Sequence, residues 1–466
     1  MPVDLYIFSV ALPLTTFLNL VNIARFIEPV SCSFKKSAGG LTTVFEAGRD
    51  YIIAQQQLER ITQDQNVASR LYKVSRLEPR LVPFHVGVRK AGSQRLLFYN
   101  GSGGYGDQIL SWPVARWLAN QGYEVHILTD PGNQCCWYNF PWVKTIEVSP
   151  IPFERFKLYD YHLIMEHVNN LDEHQDQLHP VDAMFTRIGV DPKSIDPSQK
   201  VVEPIYTWME QQIPRQVFTN RRYLGIFQLT SANSIRAQLP NDTAFLLMKL
   251  AEATPDIHWL AIYDEFNPKG YVEALKCREC GGAKIVPVGL PPGVQPTRDS
   301  AGTITGYTGT CAPGTVPETD LPLALAATME AETKPPVACA ACGGTGWLRT
   351  NIEPYCCPSL RDLWALTKYR AAIVVAPDSL MVHVAGCQGV PCVGMWGPVA
   401  PQNRVAYYRG HHPVFHREAC PHAPCFAYLS DFPRYCPPRG SKRTVCEVMA
   451  AVMPQEIIDA VKKIRR

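Results

Sequence analysis

The sequence predicts an α/β protein with two Rossmann-like domains, and three observations carry that prediction. Residues 96–118 (LLFYNGSGGYGDQILSWPVARWL) read as a strand, a glycine turn and a helix. Residues 359–398 (SLRDLWALTKYRAAIVVAPDSLMVHVAGCQGVPCVGMWGP) read as helix, strand, helix and strand. Between them, short apolar runs alternate with helical periodicity, the pattern of a parallel sheet covered by helices.

In the first series, Leu96 to Tyr99 is an apolar run suited to a buried strand, and Gly101, Gly103, Gly104 and Gly106 allow a tight turn after it. Asp107 is expected to close the turn as an N-cap. Ile109, Leu110, Val114, Trp117 and Leu118 then recur at helical spacing, with Pro113 expected to kink the helix. Further strands are expected over 124–128, 143–148 and 161–165. Asp130, Pro131 and Gly132 follow a strand end, where open α/β sheets place ligands. Glu166, His167 and His174 follow the third strand and are acceptor-pocket candidates ranked below Asp107.

A second series starts with a strand over 223–229, a polar loop over 230–240, a helix over 243–253 and a strand over 257–263. Arg236 in that loop would neutralise a diphosphate; a solvated loop arginine is the equal alternative. Later come a strand over 371–376, Asp378 as N-cap, a helix over 379–388 stopped by Gly389, and a strand over 391–396. The amides and positive end of a helix starting at Ser379 suit an anion such as a diphosphate.

The chain has 466 residues, is 46% hydrophobic and carries a formal charge of +3, enough for two or three domains and too weakly basic for a nucleic-acid-coating protein. Its 16 cysteines include C-x-x-C pairs in a chain without a secretory signal, which favours metal or thiol chemistry in a reducing, cytoplasmic compartment over disulfides. Residues 5–24 are uncharged and long enough to cross a bilayer. Asp4 in place of a basic flank, with Pro13, Asn19 and Asn22 within the run, favours a buried strand over 5–12 and a helix over 14–26. Residues 49–71 read as an amphipathic helix and 73–94 as a connection, so 1–93 form an N-terminal extension of unknown role. The domains are then 94–221 on the acceptor side and 222–466 on the nucleotide-sugar side, the latter interrupted by an insertion over 277–349.

GGYGD followed by Pro113 resembles the opening of the family 9 glycosyltransferases, the lipopolysaccharide heptosyltransferase family. Asp378, Ser379, His383, Gly389, Pro391, Gly397 and Pro398 match that family's Asp-Ser/Thr-Gly-x-x-His, Gly-x-Pro and Gly-Pro positions. Leu380 departs from the pattern, standing where the family has Gly, next to the expected donor phosphate. The resemblance runs from about Leu96 to the C-terminus, apart from the insertion. It implies the GT-B architecture of two Rossmann-like domains facing a cleft, and inverting transfer of a heptose or related sugar from a nucleoside-diphosphate sugar. The acceptor would be a glycan or other hydroxyl-bearing molecule. No catalytic metal is implied; Asp107 would be the base, and Arg236, Asp378, Ser379 and His383 would hold the donor.

The insertion carries CRECGG and CAACGGTGW, two C-x-x-C-Gly-Gly knuckles that together supply the four thiolates zinc prefers. Cys277, Cys280, Cys339 and Cys342 are therefore expected to hold one structural zinc in a ribbon-like segment, with a loop between the pairs. Cys311, Cys356 and Cys357 are substitute ligands. Cys420, Cys425, Cys436 and Cys446 form a second, less regular group before a C-terminal helix, open between metal ligands and free thiols. Lys276, Arg278 and Lys284 are too few to favour nucleic acid as the acceptor. The location expected is the cytoplasm, with the inner face of a membrane as the place of any peripheral contact. The competing function is an inactive scaffold used for binding or assembly.

Overall fold

The computed structural model describes residues 6–8, 21–26, 30–33, 42–47, 49–54, 62, 71–76, 80–82, 94–100, 104–165, 178–212, 221–231, 238–263, 274–276, 295–298, 304–308, 351–355, 359–425 and 446–465. The chain divides into two compact units, Met1–Tyr271 with Pro354–Arg466, and Val272–Glu353. In the smaller unit, Gln295–Arg298 pairs antiparallel with Ile304–Thr308. This hairpin lies in the stretch expected to be a loop; Thr297, Ile304, Tyr307 and Thr308 supply the β-favouring side chains.

The larger unit contains two parallel sheets. Strands of its first half include β1 (Tyr6–Phe8), β2 (Val21–Phe26), β3 (Asp50–Ala54), β4 (Leu71–Arg76), β5 (Arg80–Val82), β6 (Arg95–Tyr99), β7 (Glu124–Thr129), β8 (Val143–Val148) and β9 (Tyr161–Ile164). One six-stranded sheet has the order β8-β7-β6-β9-β1-β5, and every pair in it is parallel. Helix α1 (Tyr105–Asn120) follows β6, the strand at which the order reverses. Leu96 to Tyr99 are all buried, as a doubly covered parallel strand requires.

The N-terminal region differs from its sequence reading. Residues 21–26 form a strand in place of the end of a helix, and β3 occupies the start of the expected helix over 49–71. β2 pairs antiparallel with both β3 and β4. Pairing of distant segments outweighs local helical periodicity here. The expected connection over 73–94 likewise contains most of β4 and all of β5, and β1 and β5 extend the first parallel sheet. Among the described residues no helix is long and apolar enough to cross a membrane.

In the second half, β10 (Tyr223–Gln228), α2 (Pro240–Ala253), β11 (Ile257–Ile262), α3 (Leu360–Arg370), β12 (Ala371–Pro377), α4 (Leu380–Gln388), β13 (Cys392–Met395), β14 (His411–Val414) and α5 (Pro454–Ile464) follow in order. Five strands of the second sheet run β11-β10-β12-β13-β14, all parallel. The order reverses between β10 and β12, the place where open α/β sheets bind ligands beyond their carboxyl ends.

The two sheets share one apolar core. Trp112 of α1 meets Trp364 of α3 edge to face, with ring centroids 5.7 Å apart, and both are fully buried. Two buried ion pairs flank this core: Arg361 Nε donates to Glu210 Oε1 at 2.7 Å, and Lys200 Nζ to Asp182 Oδ1 at 2.7 Å. The Tyr407 hydroxyl donates to Asp182 and accepts from Lys200 Nζ at 2.9 Å, so neither charge of the second pair is left bare.

Candidate functional site

The glycine turn of the first sheet and the start of α4 in the second come together. A Cβ on Gly106 would lie 2.8 Å from Cδ2 of His383, so the helix carrying Asp107 passes the imidazole closely enough to require glycine. His383 is 4% exposed, and its Nδ1 lies 3.1 Å from the Tyr408 hydroxyl. Burial raises the Tyr408 pKa well above that of a free phenol, so the group facing His383 is a neutral hydroxyl.

Replacing Gly106 by Ala is expected to destabilise the protein by about 1–3 kcal/mol through this overlap, although Ala elsewhere in a helix gains about 1 kcal/mol over Gly. Urea unfolding measures the loss. In a His383→Ala background the penalty should largely vanish, and an equal cost in both backgrounds would place its origin elsewhere.

Two caps differ from the sequence reading. The N-cap of α1 is Gly104, and Asp107 is the third helical residue, its Oδ2 accepting the Gly104 N–H at 2.9 Å. The backbone of Gly104 meets the steric needs of the turn, and the carboxylate reaches back as the acidic half of a capping box. Asp107 is half-exposed, and its own backbone carbonyl accepts from Asn100 Nδ2 at 3.3 Å. Behind it, the buried Gln108 donates to the Asn100 carbonyl at 3.0 Å and accepts from Trp137 Nε1 at 2.9 Å.

At α4 the N-cap is Ser379, one residue after the expected Asp378, which is 1% exposed beneath the turn. The Ser379 hydroxyl makes no capping bond. It accepts from Gln228 Nε2 at 3.0 Å, while Gln228 Oε1 accepts the Met381 N–H at 3.2 Å and Nε2 also donates to the Thr230 carbonyl at 2.8 Å. A side chain from the end of β10 thus holds the start of α4 across the point of strand reversal and takes one of the amides expected to be open to an anion. Gly389 ends α4 with φ 66°, a left-handed turn. Leu380 is half-buried and packs against the core.

Asp107, Gly104, Gly106, Asp378, Ser379 and His383 are therefore placed, and the Gly106–His383 contact joins the two motifs. Gly103, Arg236, Glu166, His167 and His174 lie outside the described residues, as do Cys277, Cys280, Cys339, Cys342 and Cys436. Among the described residues no group of three or more His, Cys, Asp or Glu side chains could hold a metal. Sequence reasoning missed Gln228 and Tyr408. The position of Gln228 at the last residue of a strand, before a polar loop, was the available signal; Tyr408 lies in an irregular segment and had none.

No family model matches the chain, and no curated protein matches it. Solved structures that it resembles include an ADP-heptose lipopolysaccharide heptosyltransferase II from E. coli, at 10% identity and TM-score 0.47, over 80% of this chain and 98% of that one. A glycosyl transferase of family 9 from Veillonella parvula is 14% identical with TM-score 0.43, over 80% and 97%. The iron-containing dodecameric glycosyltransferase TibC from enterotoxigenic E. coli is 10% identical with TM-score 0.47, over 96% and 91%.

Proposed function

We propose that the protein is a glycosyltransferase that moves a sugar, a heptose or a related one, from a nucleoside-diphosphate sugar to an acceptor hydroxyl on a glycan or similar molecule. The observation that carries this reading is the approach of Gly106 to His383, which brings the first turn of α1, with its half-exposed Asp107, against the first turns of α4 at the strand reversal. The family resemblance of GGYGD and of the Asp378 to His383 stretch supports the same roles.

In this proposal Asp107 accepts the hydroxyl proton as the acceptor oxygen attacks the anomeric carbon, and the sugar inverts as the nucleoside diphosphate leaves. Gly104 holds Asp107 Oδ2, so the proton goes to Oδ1. The positive end of α4 stabilises the charge of the leaving diphosphate. Gln228 keeps that helix start in place, and Arg236 adds a cation from the adjoining loop. As the resemblance implies, this chemistry runs without a catalytic metal. Nucleic acid is not the favoured acceptor, and the cytoplasm is the proposed place of work, with the inner face of a membrane as the place of any peripheral contact.

A thermal-shift screen of the full chain against nucleoside-diphosphate sugars tests the donor assignment. A ligand at about a hundred times its Kd should stabilise by about 2.7 kcal/mol, and a screen in which no nucleotide sugar raises Tm would overturn it. The reading also includes one structural zinc held by Cys277, Cys280, Cys339 and Cys342. Elemental analysis should find one equivalent in the purified protein and less in Cys339→Ser; zinc-free wild-type protein would sink this part alone.

A further inference from the structure

The short 3-10 turn Gln134–Trp137 follows β7 and carries two adjacent cysteines. Cys135 is half-buried with its Sγ donating to the Gly132 carbonyl at 3.5 Å, whereas Cys136 is fully buried. Helix α3 packs against this turn and brings Arg361, whose Nη1 is buried with no hydrogen-bond partner among the described residues. We propose that Cys135 and Cys136 form a redox-active vicinal dithiol, in which Cys135 is the thiol that attacks a peroxide and Cys136 resolves the product to a disulfide within the turn.

The environment divides the two roles. A hydrogen bond from Cys136 draws the Cys135 pKa down, burial opposes this, and the Arg361 charge adds to the lowering. Burial pushes the Cys136 thiol up, keeping it protonated until an electrophilic sulfur is beside it. The Cys135 thiolate attacks one peroxide oxygen, the O–O bond breaks and hydroxide leaves, giving a sulfenic acid. The Cys136 sulfur then displaces that oxygen, which leaves as water with the Cys136 proton. Two electrons pass from the thiols to the peroxide. The next residue, Trp137, donates to Gln108 beside Asp107, so a change in the turn reaches the start of α1 through one hydrogen bond.

Limiting hydrogen peroxide added to the reduced full chain, followed by alkylation, digestion and mass spectrometry, tests the assignment. The peptide containing both cysteines should lose two hydrogens in mass. Cys136→Ser should instead leave a Cys135 sulfenic acid that dimedone traps, and Cys135→Ser should give neither product. In wild-type protein the alkylation of Cys135 should reach half its limiting rate below pH 8.5, about the value for a free thiol. A peptide that remains fully alkylated while the folded protein oxidises at other cysteines overturns the proposal, as does a Cys135 profile centred at or above the free-thiol value.

Discussion

Asp107→Asn is expected to leave Tm within a few degrees of wild type while lowering turnover by roughly a hundredfold or more. The two effects separate because the carboxylate has two functions. As the third residue of α1, Asp107 accepts the Gly104 N–H, and an Asn carbonyl oxygen at the same distance can accept it as well. Only the favourable placement of a negative charge in the first helical turn is lost, about 0.3–1 kcal/mol. Proton abstraction, in contrast, needs the carboxylate itself. Asp107→Ala removes both functions and should lower stability and turnover together. Nucleotide-sugar binding should persist in Asp107→Asn, since the diphosphate is assigned to α4. Near-normal transfer by this variant would move the base elsewhere, with Glu166, His167 and His174 next to be tested.

The parts of the fold that were legible in the sequence are those in which local and tertiary preferences agree. The runs at Leu96 to Tyr99 and Ala371 to Ala376 are buried on both faces and read as strands, and the helix from Leu380 is stopped by Gly389 as expected. Caps were less legible because several polar residues stand close together. Asp107 and Asp378 are good N-caps by type, yet glycine and serine backbones took those places, and one aspartate became an acceptor inside the first turn. The N-terminal strands were misread because residues 49–71 carry apolar residues at helical spacing, whereas the partners of β2 and β3 lie tens of residues away along the chain. The meeting of Gly106 with His383 links segments far apart in sequence and had no local signal. Each motif could be recognised separately, but their juxtaposition depends on the shared core around Trp112 and Trp364.

Acid should destabilise the protein above the pH at which ordinary carboxylates are neutralised, through three buried histidines. Burial lowers the pKa of His162 to about 4, against a bond to the Phe156 carbonyl at 2.7 Å that partly restores it, and its ring stacks on Phe156 at 3.9 Å. His179 is likewise lowered to about 4 by burial, and its Nδ1 accepts the Val181 N–H at 3.3 Å as the cap of helix Pro180–Arg187. Burial also lowers His411 to about 4, and the neighbouring His412 adds to the effect. In the unfolded chain all three rings take up protons near pH 6.5, while the folded protein binds them only near pH 4. Below pH 6.5 the unfolded state therefore holds more protons, and stability falls with decreasing pH. The contribution is fully present above pH 6.5, and each ring has lost on the order of 3 kcal/mol by pH 4, against a total of about 5–15 kcal/mol for a typical domain. Protonating His179 also removes the acceptor that caps its helix. Urea unfolding at a series of pH values should show a steep decline from pH 6.5 to 5, before most carboxylates titrate. His179→Asn keeps a capping oxygen and cannot charge in this range, so with His162 and His411 still titrating its decline should be about two-thirds as steep. Equal slopes in this variant and in wild type would mean that the acid sensitivity arises elsewhere.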